Sequence, residues 1–311
     1  MSKSITLLTP VFNEEGCIDA YIESCQEVFK ELHHYHFSIL FIDDGSSDLS
    51  WAKIEALSQQ NEYIKGIKLS RNFGAHAAIS TGLSNVQSDA TLILPCDLQD
   101  PPENLPRFIE QWEQGFKIVW GKRSRRKDPL INKFYSRIFN WLLSISDFPK
   151  ESYIFTGSYI FMDRSAISSF SELQERNRAT FALVAWLGYP QSFIEYERQQ
   201  RFSGHSGWNF GKMIKTSCDC IIGFSFIPRR LIIYSGFILF LISILFASYT
   251  LVNWYFTSTI QGWTSLAFIT SVFFGILFLY IGILCEYLYR IYIESVRRPI
   301  SIIEKSTDHP S

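Results

Sequence analysis

Short apolar runs alternate with amphipathic stretches along the first 120 residues. Ile5–Thr9 is a β-rich run closed by Pro10, and Glu14–Leu32 repeats its apolar residues at helical spacing. Phe37–Ile42 is a continuous apolar run, followed by a helical pattern over Trp51–Gln60 and a strand pattern over Ile64–Leu69. The alternation continues with a helix over His76–Val86, a buried strand over Ala90–Pro95, a helix over Pro106–Gln114 and a strand over Lys117–Trp120. Apolar strands separated by helices predict an α/β domain with a mainly parallel sheet covered on both faces. The polar clusters fall just after the strands, where open α/β sheets bind ligands.

The pattern then changes. From Leu231 to Cys285 there is no Asp, Glu, Lys, Arg or His. A bilayer core takes about 20 apolar residues per helix. The stretch therefore predicts a C-terminal two-helix transmembrane hairpin, with spans near Ile232–Tyr255 and Thr264–Tyr287 joined at Thr257–Gly262. Trp254 and Trp263 fall beside the link, as interfacial aromatics do. The competing reading, a hairpin of buried core helices, is opposed by the length and uniform apolarity of each segment. Arg229 and Arg230 precede the first span, Arg290, Arg297 and Arg298 follow the second, and the link carries no basic residue. The positive-inside rule then predicts a multi-pass protein of the plasma (inner) membrane with both termini and the N-terminal domain cytoplasmic. Met1–Ser4 and the short run after it do not make a signal peptide. The expected organisation is a domain over 1–206, a juxtamembrane segment over 207–229, the two helices within 230–289, and a tail over 290–311. In the juxtamembrane segment, Trp208 and Met213 beside Lys212 and Lys215 suggest an interfacial helix or, equally, a helix packed on the domain's own core.

Composition narrows the function. The chain has 311 residues, 47% of them hydrophobic and 19% charged, which excludes global disorder. Its formal net charge of −1 argues against nucleic acid as a partner. The six cysteines include no Cys-x-x-Cys pair, so neither a zinc ribbon nor a disulfide framework is expected. Dinucleotide, P-loop, hydrolase-elbow and His-Glu-x-x-His patterns are all missing.

Three strand ends carry the chemistry. They are Pro10-Val11-Phe12-Asn13-Glu14-Glu15, Asp43-Asp44-Gly45-Ser46-Ser47-Asp48 and Asp97-Leu98-Gln99-Asp100-Pro101-Pro102-Glu103. Ser70-Arg71-Asn72-Phe73-Gly74, Thr156-Gly157, Arg201-Phe202-Ser203-Gly204-His205-Ser206 and Glu286-Tyr287-Leu288 follow in order. With these motifs the chain resembles, over nearly its whole length, the family 2 glycosyltransferases of GT-A fold. It is most similar to the polyprenyl-phosphate sugar synthases, the dolichyl-phosphate mannose synthases and bactoprenol glucosyltransferases.

The resemblance implies a nucleotide sugar held by Pro10, Phe12, Glu14, Ile42 and Asp44. It also implies a role for Arg123 at donor or acceptor phosphates and for Arg198 and Arg201 at the donor phosphate, and it makes a homo-oligomer plausible. Asp97 and Gln99 stand two apart after a buried strand, and hard oxygens of this kind suit Mg²⁺ or Mn²⁺. Lys133 and Arg137, four apart on a predicted helix face, could hold a lipid phosphate. The chain departs from the family pattern at Pro95, where an Asp is usual, at Gly207, where a Lys is usual, and at Ser158, where the bactoprenol enzymes carry an Asp proposed as catalytic acid or base. Ser158 cannot be that base at neutral pH. A phosphate acceptor, largely dianionic at about pH 7, has little need of one. A hydroxyl acceptor would need Asp97, Asp100 or Asp163. The favoured expectation is inverting transfer of a sugar from a nucleotide sugar to polyprenyl phosphate, serving cell-envelope glycan synthesis. Transfer to a lipid-linked glycan hydroxyl and a catalytically weak, membrane-anchored nucleotide-binding scaffold remain as alternatives.

Overall fold

The computed structural model describes residues 2–124, 159–173, 175, 180–199, 234, 238, 241–242, 245, 248 and 262–307. The expectations for Lys133, Arg137, the Thr156–Ser158 turn, Arg201, the juxtamembrane segment and most of the first span lie outside the described residues. The chain divides into two units. One is formed by the N-terminal part together with the segment after Arg297, and the other contains the long C-terminal helix.

In the first unit, eight strands form one sheet in the order β7-β5-β6-β4-β1-β2-β3-β8. They are β1 (Ser4–Val11), β2 (His36–Asp43), β3 (Ile64–Leu69), β4 (Ala90–Ile93), β5 (Ile118–Arg123), β6 (Ile160–Asp163), β7 (Gln191–Tyr196) and β8 (Ile303–Ser306). The pairs β1–β2, β1–β4, β2–β3 and β5–β7 are parallel. The pairs β4–β6, β5–β6 and β3–β8 are antiparallel. The expected α/β domain is observed. The antiparallel strands were not anticipated, because their partners are set by long-range contacts that local periodicity does not encode.

β1 extends two residues past its expected end and includes Pro10. Leu8 accepts a hydrogen bond from Leu94 on the β4 side, and Pro10, two residues on, faces that same side after β4 has ended. Its missing N–H therefore costs the ladder little. The helices follow the expected pattern with shifted ends, α1 starting four residues later and the other three one residue earlier than expected: α1 (Ile18–Glu31), α2 (Ser50–Gln60), α3 (Ala75–Asn85) and α4 (Leu105–Glu113). α1 buries Ile18, Tyr21, Ile22, Cys25 and Val28, and α4 buries Leu105, Phe108, Ile109 and Trp112. Both sets sit on one helical stripe. α3 approaches β1 closely at Gly82, where an added Cβ would lie 2.1 Å from a Leu8 methyl. Two further helices, α5 (Arg164–Glu172) and α6 (Thr180–Trp186), complete the described part of this unit.

The segment read as a tail is part of the sheet. β8 pairs with β3 through Ile67–Ser306 and Lys68–Lys305. The Ser70 N–H donates to the Ile302 carbonyl, and Gly66 and Thr307 exchange two hydrogen bonds. A Lys68–Glu304 ion pair at 3.1 Å and a Thr81–Ser301 hydroxyl contact flank the strand.

The second unit contains α7 (Trp263–Val296), 34 residues long, ending at Arg297 in the left-handed conformation. Its expected end was Tyr287, so the helix runs nine residues further, through a stretch that carries Arg290 and Glu294. Among the described residues no helix is long and apolar enough to cross a membrane. The described residues therefore do not show the membrane hairpin of the sequence analysis. Several α7 side chains lie outside the described set. Those within it include exposed Leu266, Phe274, Leu277, Ile281, Leu284 and Leu288.

Candidate active site

The predicted residues converge because β1, β2, β3 and β4 run parallel, so their following loops leave one edge of the sheet. The β1 and β2 loops are stapled together. Asn13, at φ 55°, donates its N–H to Ser46 Oγ and accepts from the Ser47 N–H. Glu15 accepts from the Leu49 N–H, and the Glu14 N–H donates to Ser50 Oγ. Phe12 stands 45% exposed beside this staple. Pro10 pairs with Ile42 in register, but the Ile42 side chain is fully buried in the core.

Asp44 is almost fully buried, and both carboxylate oxygens are occupied. Oδ1 accepts from the Phe73 N–H at 2.7 Å and Oδ2 from the Gly74 N–H at 2.8 Å. Asp44 thus anchors the Ser70–Gly74 loop. Burial raises its carboxyl above the ordinary value of 3.8, opposed by the two amides and by nearby Arg71. Gly45 makes this approach possible. It has φ 69°, and a Cβ there would fall 2.4 Å from the Arg71 carbonyl carbon. Arg71 itself is exposed and lies over the Phe73 ring at 4.0 Å. The neighbouring Asp43 is fully buried; Oδ1 takes the Ser46 N–H, and Oδ2 has no hydrogen-bond partner among the described residues.

The β4 loop turns sharply, with Leu98 at φ 56°. Asp97 is 6% exposed, and its Oδ1 accepts the Gln99 N–H at 3.2 Å. Glu14 reaches this loop. Burial and then the Glu14 charge push the Cys96 thiol well up, and Glu14 accepts from the Cys17 thiol at 3.4 Å. The three acidic strand ends are therefore neighbours in space. Among the described residues no cluster of three His, Cys, Asp or Glu could hold a metal ion. The Asp97 carboxylate and the Gln99 amide oxygen fit a hard cation that takes most of its ligands from phosphate and water.

β5 and β7 add a cationic side. They pair in parallel with Arg123 opposite Tyr196, so both side chains emerge at the same edge. The Tyr196 hydroxyl donates to Asp100 Oδ1 at 2.5 Å and accepts from Arg123 Nε at 3.4 Å. Arg198 Nε lies 3.7 Å from the same Asp100 oxygen. Gln199 N–H donates to the Gln99 carbonyl, and Tyr159 donates to the Pro101 carbonyl. In the sequence Asp100 stands out only as a possible base, and Tyr196 does not stand out at all. Its one local signal was an Asp directly after Gln99 in a turn with two prolines; the partners come from β7, about a hundred residues away. Asp163, the third possible base, is elsewhere. It pairs with Ala90 at the start of β4, caps α5 through Ser165, and accepts from Trp112 and Lys117.

The model of the family "Glycosyl transferase family 2" matches residues 6–171, the stretch from β1 to α5; α6, β7, α7 and β8 lie beyond it. The chain belongs to glycosyltransferase family 2. It is 36% identical over 98% of its length, and 95% of the other's, to the uncharacterised glycosyltransferase YkcC of Bacillus subtilis. It is 34% identical to the SfII prophage-derived bactoprenol glucosyl transferase of Shigella flexneri, covering 97% of this chain and 98% of that one. Among solved structures, a mycobacterial protein aligns over 71% of this chain and 73% of its own with TM-score 0.50 and 15% identity, which supports the fold alone. This family 2 member is a glycosyltransferase with a GT-A-like α/β domain. The family domain contains the staple, the Asp97 turn and Arg123, whereas Tyr196 and Arg198 come from beyond the matched segment.

Proposed function

We propose that this glycosyltransferase moves a sugar from a nucleotide sugar to a polyprenyl phosphate at a membrane surface. The observation that carries the reading is the 34% identity, over nearly the whole of both chains, to a protein named a bactoprenol glucosyl transferase. The site chemistry agrees: an acidic loop cluster for a cation and nucleotide lies beside a pair of arginines suited to phosphate. Pro10, Phe12, Glu14 and Asp44 line the nucleotide side, Asp44 by fixing the 70–74 loop. Lys133, Arg137 and Arg201 would add phosphate contacts.

The reaction is written as one displacement. An acceptor phosphate oxygen attacks the anomeric carbon, the bond to the donor diphosphate breaks, and the electron pair leaves with the diphosphate. The configuration inverts. No proton has to be removed from the attacking oxygen, which suits Ser158 at the position where an acidic residue is usual in the bactoprenol enzymes. Asp97 and Gln99 would hold a Mg²⁺ or Mn²⁺ ion, whose charge offsets that of the leaving diphosphate.

A membrane hairpin is part of the proposal. β7 and β8 belong to one sheet, so the chain must leave and return on one side of any membrane it crosses. If α7 is one crossing, a second is required between them. The charge-free 232–255 stretch fits that role, and its described residues Tyr234, Ile238, Leu241, Ile242 and Leu245 are helical and exposed.

The test is a transfer assay on purified protein in detergent with undecaprenyl phosphate, a panel of UDP- and GDP-sugars, and Mg²⁺ or Mn²⁺ against EDTA. Metal-dependent formation of a sugar-phospholipid is the expected result. Nucleotide binding without transfer to the lipid phosphate would overturn the acceptor assignment.

A further inference from the structure

Asp100 is the most completely buried carboxylate beside the cationic side of the site, at 1% exposure. Burial pushes its carboxyl up, against the Tyr196 hydrogen bond and the charges of Arg123 and Arg198. A carboxylate so placed is costly unless it organises its surroundings. Its Oδ1 gathers two arginines, one at the end of β5 and one just after β7: Arg198 faces it through Nε at 3.7 Å, and Arg123 reaches it through the Tyr196 hydroxyl. An arginine engaged through Nε presents its two Nη nitrogens as a fork, the geometry that grips a phosphate in a bidentate manner. Tyr196 is itself fixed, because its ring packs edge-on to buried Tyr159 at 5.1 Å.

Building on the proposed function, we infer that Asp100 is a positioning residue that, directly and through Tyr196, aims Arg123 and Arg198 as a paired clamp for a substrate phosphate. The phosphate belongs either to the donor diphosphate or to the acceptor lipid, and the experiment separates the two. Asp100 does not touch the substrate; it acts through the arginines.

The test uses the full chain in detergent and compares Asp100→Asn, Tyr196→Phe and Arg198→Lys with the combination Asp100→Asn/Arg198→Lys. Affinity for UDP or GDP, whichever binds, is measured by calorimetry beside affinity for the matching nucleoside. The KM for undecaprenyl phosphate and kcat are measured separately. If the clamp serves the donor, the diphosphate weakens at least tenfold in Asp100→Asn and the nucleoside does not. If it serves the acceptor, the lipid phosphate KM rises at least tenfold and diphosphate affinity holds. In either case Tyr196→Phe gives a smaller effect of the same kind, and the double variant loses less than the product of the two single losses, because the Arg198 route is shared by both changes and the Arg123 route is not. Unchanged diphosphate affinity together with unchanged lipid KM would overturn the inference, as would fully additive losses. Should Asp100→Asn fail to fold, Tyr196→Phe decides by the same readouts. A wild-type protein that binds nucleoside diphosphate but glycosylates no lipid phosphate would sink the functional reading, while the diphosphate arm would still decide the clamp.

Discussion

Asp97 and Gly45 show two ways in which a single position serves the site. Asp97 uses Oδ1 to accept the Gln99 N–H and so shapes its own turn. Asp97→Asn preserves the Oδ1 acceptor and removes the charge. Transfer should fall about 10²-fold or more, the scale of losing one electrostatic contact in a transition state, with the melting temperature essentially unchanged. Retained activity in the transfer assay would count against Asp97 as a cation ligand. Gly45 is structural in origin: a side chain there meets the Arg71 backbone at a positive φ. Gly45→Ala should cost about 1–3 kcal/mol, read as a lower urea midpoint. It should also weaken nucleotide binding, because the 70–74 loop must move away from Asp44. The need for glycine at 45 was visible in the sequence only as a turn; the reason lies in a loop that arrives from β3.

At the scale of elements, the carboxylates fall into two groups. Asp43, Asp44 and Asp100 line the strand ends and are raised by burial. For Asp163 burial also acts upward, but hydrogen bonds from Ser165, Trp112 and Lys117 outweigh it and hold the carboxyl below 3.8. The sign for pH follows. A depressed folded value stabilises the protein above the unfolded value near 3.8, and that stability is lost as pH falls through the folded value. Replacing Asp163 by Ala should cost about 1–3 kcal/mol at pH 7, toward the lower end because Lys117 is 39% exposed. The gap between wild type and variant in chemical denaturation should shrink below about pH 4. A gap independent of pH would mean that packing against Trp112, and not charge, sets the contribution. The raised group has the opposite sign, its contribution to stability declining as pH rises from 3.8 through the folded value. Helix and strand positions on this side of the sheet were legible from periodicity. The antiparallel insertion of β6 was not, because a run of four buried residues carries no directional signal.

At the largest scale, β8 forms one edge of the eight-stranded sheet. Two hydrogen bonds between Gly66 and Thr307, one from Ser70, and the Lys68–Glu304 pair hold it on the edge of β3, next to the loop that Asp44 anchors. Ending the chain at Arg298 should lower the domain's melting temperature by several degrees, since about 1 kcal/mol corresponds to about 2–4 °C in a domain of this size. It should also expose β3 as an edge prone to association, detectable by light scattering. An unchanged melting temperature would mean that β8 contributes nothing net. The same strand constrains the membrane proposal to an even number of crossings between β7 and β8. In sealed inverted vesicles, a cysteine introduced at Ser258 should be shielded from an impermeant thiol reagent and one at Thr307 should react. The reverse pattern would exclude the proposed topology.

Periodicity and composition alone determined that this chain makes an α/β domain, that acidic loops follow β1, β2 and β4, and that a long charge-free segment lies near the C-terminus. Those features are local: strand and helix periods, turn residues and runs without charge. Only the tertiary structure decided that Asp44 spends its carboxylate on the Phe73 and Gly74 amides, that Asp100 collects Arg198 directly and Arg123 through Tyr196, and that the segment after α7 returns as the eighth strand. Each of these joins residues far apart in the chain, and strand order and register, not sequence spacing, choose such partners.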